Sequence, residues 1–462
     1  MNPPRPPHSL GLGQKVTYGL PAFALAVVGI PVYVHIPKFY TDVVGVNIAW
    51  VGAVLLLARL FDAFSDPLMG MVSDRTRTRL GRRRPFILWG SVCLGVALFL
   101  LFVPPQMATT VALVWFAVSI GGLFFFWTVV TVPYEALGPA LTRDYSERTS
   151  LFAWRDGMLI AGTLLAAASP ALIEALQGSP AGPQGQRQKF LWIALLYVPM
   201  LIGTCWWCVF RIREPEDASE TAMPISWRDL SAVRRNRPFL ILLVSYTIGA
   251  IGSNLPATLI LYYVAYVLES DRADLFLFMY FASGIVMLPL WIRWSRRWGK
   301  KKAWLASMAI NTGAFSAVYF LGAGDEWQYA VLVVISGMGF GATLALPSAI
   351  QADVIDYDEF LTGRRQEGWY IGIWSVVKKL TAAVGVGAGL TLLGAAGYVA
   401  GQPQPPEVIQ TLKVLYALVP SVCNAVAFAI ALAFPISPVV HQRILDGIAL
   451  LQQGKPAPDP LR

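Results

Sequence analysis

The chain contains a long series of apolar segments, each close to the length that crosses a lipid bilayer. A hydrocarbon core about 30 Å thick requires roughly 20 apolar residues per helix, and this length predicts about twelve spans. The predicted spans are residues 17–40, 45–72, 85–104, 108–135, 151–177, 189–211, 237–268, 273–296, 303–322, 328–352, 369–398 and 409–435. Only 14% of the residues are charged, against about 25% in soluble proteins. We therefore expect an all-α membrane protein in contact with the lipid bilayer.

Basic residues cluster in alternate connections between these spans. The clusters follow spans 2, 6 and 8 and comprise Arg75, Arg77, Arg79, Arg82, Arg83 and Arg84, then Arg211, Arg213, Arg228, Arg234, Arg235 and Arg237, then Arg296, Arg297, Lys300, Lys301 and Lys302. The connections after spans 3, 9 and 11 contain no Lys or Arg. Positively charged loops stay on the cytoplasmic side, so both termini are predicted to be cytoplasmic, in a cell (inner) membrane. The net charge of +9 is thereby attributed to topology, and no nucleic-acid partner is expected.

The two halves of the chain resemble each other. We predict a six-helix bundle at 1–211, a central cytoplasmic linker at 212–236, a second bundle at 237–435 and a cytoplasmic tail at 436–462. Arg79-Leu-Gly-Arg-Arg-Arg recurs as Arg297-Trp-Gly-Lys-Lys-Lys, and Pro133 with Asp144-Tyr145 recurs as Pro347 with Asp356-Tyr357. A duplicated six-helix unit is typical of transporters with two pseudosymmetric halves.

Two carboxylates, Asp62 and Asp66, lie one helical turn apart on predicted span 2. At that spacing they share one face and repel each other. Charge inside a membrane is costly, so the pair needs a bound cation, a proton or a basic partner. Ser65 and Thr128 add hydroxyl oxygens, and such a set of hard oxygens suits a small alkali cation. The alternative is a salt-bridge network with Arg59 and the following loop.

Several motifs resemble those of the glycoside-pentoside-hexuronide:cation symporters of the major facilitator superfamily. They are Tyr40-Thr-Asp-Val-Val-Gly45, Arg59-Leu-Phe-Asp62-Ala-Phe-Ser-Asp66-Pro67, Asp74-Arg-Thr-Arg-Thr-Arg-Leu-Gly81-Arg-Arg-Arg-Pro85, Pro133-Tyr-Glu-Ala-Leu-Gly-Pro, Asp144-Tyr-Ser-Glu-Arg-Thr149 and Asp353-Val-Ile-Asp356-Tyr357. The resemblance implies the two-bundle major facilitator fold and symport by alternating access. The coupling ion would be sodium or a proton, and the substrate a sugar, glycoside or related small solute. An amphiphilic or lysolipid-like substrate stays open, as does a non-transporting sensor on the same scaffold.

The resemblance also implies roles for individual residues. The cation site would be formed by Asp62, Ser65, Asp66 and Thr128. The coupling lysine would be Lys379, with Lys378 as the one-residue alternative. The substrate site would include Arg155, Glu135, Thr131, Ala26, Trp127 and Asn254.

The predicted substrate site departs from the family pattern. Ala26 and Thr131 stand where the family has two sugar-binding acids, which puts a galactoside-type site in doubt and predicts a more apolar cavity. Arg155, about one turn into span 5, matches a sugar-binding arginine. Glu135 stands where the melibiose permease has an aromatic sugar platform, and it could instead pair with Arg155.

The loop after span 2 is predicted to control access to the site. We expect Arg82, Arg83 and Arg84 to form charge-assisted hydrogen bonds with acids or carbonyls at neighbouring helix ends. Asp74 precedes this loop, and Gly81 would allow close helix approach.

Motifs of other protein classes are missing from the sequence. It has no HExxH, GxSxG or GxxxxGK[ST] pattern, which argues against an enzyme or an ATP-driven pump. Four cysteines that all lie in apolar stretches and three scattered histidines predict neither disulfides nor a metal site. We expect no cofactor beyond the coupling ion, and a monomer.

Overall fold

A computed structural model describes residues 10–142, 145–177, 182–214, 236–363 and 367–461. The described residues form helices and no β-strand. The helices are α1 (Leu12–Val44), α2 (Ile48–Arg75), α3 (Arg84–Phe102), α4 (Thr109–Leu141), α5 (Tyr145–Gln177), α6 (Pro183–Arg211), α7 (Arg237–Tyr266), α8 (Ala273–Trp298), α9 (Lys300–Val318), α10 (Glu326–Thr362), α11 (Glu367–Ala395), α12 (Pro406–Leu432) and α13 (Pro438–Gln452). The all-α prediction is confirmed, and helices α1 to α12 correspond in order to the twelve predicted spans.

Eleven of the described helices are long and apolar enough to cross a membrane. Helix α9 is the predicted span that does not reach this level of hydropathy. Its first turn consists of Lys300, Lys301 and Lys302, and polar Ser, Asn and Thr residues follow. These residues lower the mean hydropathy of α9. Its place in the order of helices is nevertheless that of the ninth predicted span.

Three helices extend well past their predicted ends. Helix α4 continues to Leu141, α5 begins at Tyr145, and α10 continues to Thr362. A hydropathy criterion stops where polar residues begin, whereas the backbone hydrogen bonds of a helix continue beyond the hydrocarbon core. Arg155 therefore lies about three turns into α5, but about one turn into its apolar membrane span, Ser150–Leu176, as predicted.

The chain forms two compact units, one of Met1–Thr221 with Val399–Gln402 and one of Ala222–Tyr398 with Pro403–Arg462. In the first unit α1 packs along α5 and α6, and α4 packs against α2 and α3, which also contacts α6. In the second unit α7 packs along α11 and α12, and α10 packs against α8 and α9, which also contacts α12. Each pairing recurs six helices later, so the two units share one internal arrangement.

Glycines permit the tightest helix crossings in both units. A Cβ at Gly162 of α5 would clash with the carbonyl oxygen of Phe23 in α1, and one at Gly337 of α10 would clash with that of Tyr280 in α8. Small residues let helix backbones approach closely in membrane proteins. These crossings fix the positions of α1, α5, α8 and α10 within their units.

The repeated basic loops also have matching structures. Gly81 and Gly299 have positive φ angles of 107° and 93°, respectively, which favours glycine. In the first unit Arg84 Nε donates to the carbonyl oxygen of Val209 near the end of α6, at 3.0 Å. In the second, Lys301 Nζ donates to the carbonyl of Leu432 at the end of α12, at 2.7 Å. In each unit a basic loop thus binds the end of the last spanning helix.

Candidate functional site

The four residues of the predicted cation site lie together between α2 and α4. Thr128 Oγ1 lies 2.7 Å from Asp62 Oδ1 and 2.9 Å from Asp66 Oδ1. Ser65 Oγ lies 3.4 Å from Thr128 Oγ1 and donates to the backbone carbonyl of Asp62 at 3.1 Å. Asp62 is 4% exposed and Thr128 is 1% exposed. The one-turn spacing on α2 and the packing of α4 against it therefore place two carboxylates and two hydroxyls in one small volume.

The Thr128 hydroxyl cannot satisfy both carboxylates by donation alone. A threonine hydroxyl carries one hydrogen, and an ionised carboxylate carries none. When the hydroxyl donates fully to Asp62, its contact with Asp66 joins two acceptor oxygens, and the reverse holds when it donates to Asp66. A proton on one carboxyl group, or a small cation among the oxygens, relieves that repulsion. The geometry therefore suits the uptake of one positive charge.

Arg59 lies beside this pair and is held by aromatic rings. Its guanidinium carbon is 4.0 Å from the Tyr33 ring centroid and 4.5 Å from that of Phe124. Its Nη1 atom is 4.0 Å from Asp62 Oδ2. Cation–π contacts of this kind fix a guanidinium and keep its charge. Arg59 thus places a positive charge at the edge of the carboxylate site. This contact is the one expected if the acids form a salt-bridge network with Arg59.

Sequence reasoning did not identify the two rings that hold Arg59. Tyr33 lies in a π-helical segment of α1, Pro31–His35, and such segments are frequent at functional sites. A proline inside an apolar span, here Pro31, was the available signal, because it removes a backbone donor and disturbs the regular helix.

The predicted substrate residue Arg155 has a partner besides the one expected. It forms an ion pair with the adjacent Asp156, at 2.7 Å from Nη2 to Oδ1 and 2.9 Å from Nε. Its guanidinium also lies 4.7 Å from the Phe152 ring centroid. Arg155 donates from both Nε and Nη2 to Oδ1 of Asp156, and it also interacts electrostatically with Glu135. Glu135 is exposed on α4.

The other predicted substrate residues lie in both units. Thr131 donates to the backbone carbonyl of Trp127 at 2.9 Å, and both side chains are partly exposed. Ala26 packs against Gly162, where an added Cβ would lie 3.0 Å from the Ala26 methyl group. Asn254 in α7 donates to the carbonyl of Ala250 at 2.7 Å. A small residue at position 26 is thus explained at least in part by helix packing, and Asn254 satisfies one of its donors within its own helix.

The two candidate coupling lysines differ in burial. Lys378 is exposed on α11, whereas Lys379 is partly buried and makes polar contacts. Adjacent residues on a helix point about 100° apart, so one of the pair is expected to face packed neighbours. The assignment of Lys379 as the coupling lysine stays a prediction.

The basic loop after α2 binds an acid that sequence reasoning had placed in the central linker. Glu214 Oε2 accepts hydrogen bonds from the backbone N–H groups of Arg82 and Arg83, at 2.8 and 3.0 Å. A Cβ at Gly81 would lie 2.6 Å from the same oxygen. Gly81 is thus required by its positive φ and by the approach of Glu214, rather than by helix approach. The prediction for the Asp74 side chain lies outside the described residues.

The fold and the site define a multi-pass membrane transporter built from two repeated six-helix units. Residues 17–438 match the family model described as MFS/sugar transport protein. Since this match covers most of the chain, the protein belongs to that family, and it is a secondary transporter of the major facilitator type.

Curated relatives and solved structures agree with this assignment. The chain is 30% identical to the glucuronide carrier protein homolog of Escherichia coli (strain K12), over 87% of each chain. It is 28% identical to the isoprimeverose transporter of Lactiplantibacillus pentosus, over 91% of this chain and 88% of that one, and 28% identical to a putative sulfoquinovose importer of Salmonella typhimurium (strain LT2), over 89% and 87%. A solved structure of a bacterial homologue of the human drug peptide transporters PepT1 and PepT2 has a TM-score of 0.65 at 14% identity, over 95% of this chain and all of that one. That likeness supports the fold alone.

Proposed function

We propose that this chain imports an anionic glycoside, such as a hexuronide, together with one small cation or proton, by alternating access. The chain is a secondary transporter that carries a sugar-like substrate by symport. Coupling to a cation is carried by the Thr128 geometry, in which one hydroxyl contacts two carboxylates and leaves the site ready for one positive charge.

The charges near the site support an anionic substrate. Ala26 and Thr131 remove the two acids that would accept hydrogen bonds from sugar hydroxyls. Two guanidinium groups of the first unit, Arg59 beside Asp62 and Arg155 beside Asp156, each lie against an aromatic ring. Arginine binds planar carboxylates through two parallel hydrogen bonds. Two of the relatives are named for glucuronide and sulfoquinovose, which have an acidic group, whereas a third is named for isoprimeverose, which has none.

The basic loops give the proposed orientation. The side of the membrane that holds Arg82–Arg84 and Lys300–Lys302 is the cytoplasmic side by the positive-inside rule. Both termini then lie in the cytoplasm. We further propose that the protein resides in the cell (inner) membrane and is a monomer.

Uptake into proteoliposomes tests the substrate and the ion together. Radiolabelled phenyl glucuronide, phenyl glucoside and lysophosphatidylcholine would be supplied under an inward sodium, lithium or proton gradient. We expect glucuronide uptake to exceed glucoside uptake by about tenfold, the value of one charge-assisted pair, with one gradient preferred. Equal uptake of the glucoside and the glucuronide would contradict the proposal of an anionic substrate. Uptake that is independent of every ion gradient would contradict symport.

A further inference from the structure

The last helix, α13, is attached to α10 through a histidine that lies between two aspartates. His441 Nε2 is 3.0 Å from Asp356 Oδ2 and 3.5 Å from Asp353 Oδ1. The two aspartates lie one turn apart on α10. Asp353 is buried, and His441 and Asp356 are partly buried. Water therefore screens this contact less than it screens a surface ion pair.

A lysine from a third helix completes the cluster. Lys300 Nζ, at the start of α9, lies 2.5 Å from Asp353 Oδ1 and 3.0 Å from the carbonyl oxygen of Ala349. Among the described residues, the charged groups that act on His441 are Lys300 from α9 and the two aspartates from α10. Nearby, Tyr357 donates to Asp459 of the chain's final segment at 3.3 Å. On α13 itself, Asp446 accepts from Gln442 at 3.0 Å, and Arg443 is exposed.

The protonation state of His441 sets the charge of this cluster. With His441 protonated, two carboxylates are matched by an ammonium and an imidazolium, so these four groups sum to zero. With His441 neutral, they sum to −1. Both carboxylates lie within 3.5 Å of Nε2, and a nearby negative charge favours the protonated imidazole.

The pKa of His441 is raised above its usual value of 6.5. The hydrogen bond with Asp356 is the main cause, the charge of Asp353 adds to it, and burial and Lys300 oppose it. A raised pKa in the folded state means that the stabilisation is complete below the unfolded-state value of about 6.5. It is lost as the pH rises through the raised pKa. The charged contact between α13 and α10 therefore weakens on the alkaline side.

Apolar contacts hold α13 in the same place independently of pH. Ile444 is fully buried, and a Cβ at Gly447 would lie 2.7 Å from the Phe360 ring. Pro438 packs on Gly299 in the loop before α9. These contacts keep α13 packed on its neighbours when His441 loses its charge. A change in pH therefore alters how tightly α13 is attached, but does not detach it.

We propose that His441 makes α13 a pH-sensitive latch, which is fastened to α10 when the imidazole is protonated and loosened when it is neutral. The latch joins α9, α10 and α13 at the basic loop of the second unit. It reports the pH on the side of the membrane where that loop lies. The proposal does not depend on the identity of the substrate or of the coupling ion.

Nuclear magnetic resonance of the full chain in detergent, labelled with ¹⁵N-histidine, tests the interaction directly. The protein has only three histidines, His8, His35 and His441, and H441Q assigns the third signal. We expect His441 to titrate above pH 6.5 and D356N to shift its midpoint downward. The matched control D446N changes an exposed acid on α13, the helix of His441, and should leave the titration midpoint of His441 unchanged. A midpoint that D356N does not move would overturn the proposal.

Hydrogen–deuterium exchange tests whether the titration alters attachment. After correction for the chemical rate at each pH, amides of residues 438–452 should exchange about tenfold faster at pH 9 than at pH 6, the effect of one charge-assisted hydrogen bond. H441Q, which keeps a polar side chain without the titratable charge, should show the faster rate at both values. Equal pH dependence in H441Q and the unaltered protein would overturn the latch. Transport enters neither measurement, so a failure here leaves the proposed function standing.

Discussion

The carboxylate pair of α2 and the carboxylate pair of α10 look alike in sequence, yet their surroundings differ. In α2, Asp62 and Asp66 are bridged by the neutral Thr128 hydroxyl, and the Arg59 guanidinium lies 4.0 Å from Asp62. A neutral bridge with one hydrogen leaves the pair suited to an exchangeable positive charge.

In α10 the bridging groups are themselves basic. Lys300 lies 2.5 Å from Asp353, and His441 lies 3.0 Å from Asp356. Both acids are bound by basic groups of the protein. Spacing along a helix therefore identifies a carboxylate pair, whereas the neighbouring groups distinguish the proposed ion site of α2 from the basic cluster that joins α9, α10 and α13.

The largest expected effect comes from removing a charge of the α2 pair. We expect D62N and D66N each to reduce gradient-driven uptake of a phenyl glucuronide by at least about 100-fold, because each change removes a charge from the proposed ion site, at buried Asp62 or partly buried Asp66. Expression and folding should be largely preserved.

The matched variant D356N removes one acid from the other pair. It should leave the ion concentration for half-maximal uptake unchanged, while it alters the titration of His441. Uptake at the original rate in both α2 variants would contradict an ion site at the α2 pair. A changed ion affinity in D356N would contradict the assignment of the α10 pair to helix attachment.

The next effect concerns the lysines of α11. We expect K379A to reduce coupled uptake by about 30-fold, within the range of a typical coupling free energy, since the family resemblance gives Lys379 the role of neutralising the vacant acid pair. K378A should cost at most a few-fold, because Lys378 is exposed. The measurement is uptake with and without the ion gradient, and the reverse ranking would move the functional position to Lys378.

A smaller effect is expected at the bridging hydroxyl. T128V keeps the shape of the side chain and removes its hydrogen bonds, so we expect about tenfold weaker apparent ion affinity. T128S restores a hydroxyl and should recover most of that loss. Ion-dependent uptake kinetics measure both variants. Equal affinity in T128V and the unaltered protein would show that the hydroxyl does not contribute to the ion site.

Much of the fold could be predicted from the sequence, because a membrane limits the chain to helices of one approximate length. The contact of Thr128 with the α2 acids was also accessible, since the family resemblance implied a shared cation site for these residues. The aromatic ring of Phe124 was not, because an apolar residue in an apolar span has no distinguishing pattern. Likewise, nothing in the spacing of His441 shows that it meets two acids about 85 residues earlier in the chain, since that contact arises only when α13 packs on α10.

The smallest expected effect concerns Glu214, which binds the loop after α2. Its carboxylate is 3% exposed and accepts from the backbone N–H groups of Arg82 and Arg83. E214Q keeps one acceptor oxygen but removes the charge that the two guanidinium groups approach at 3.8 and 3.9 Å.

If the loop controls access, E214Q should slow turnover only a few-fold, because a change of about 1 kcal/mol in the balance of two states alters their ratio about fivefold. Equilibrium ion binding should be unaffected, since Glu214 does not contact the α2 acids. E174Q, which changes a half-exposed acid paired with Lys189, serves as the control. Cysteine accessibility from each side of the membrane, measured alongside ion binding, separates the two possibilities: altered accessibility with intact binding supports a gate, whereas lost binding with unaltered accessibility would make this loop part of the ion site.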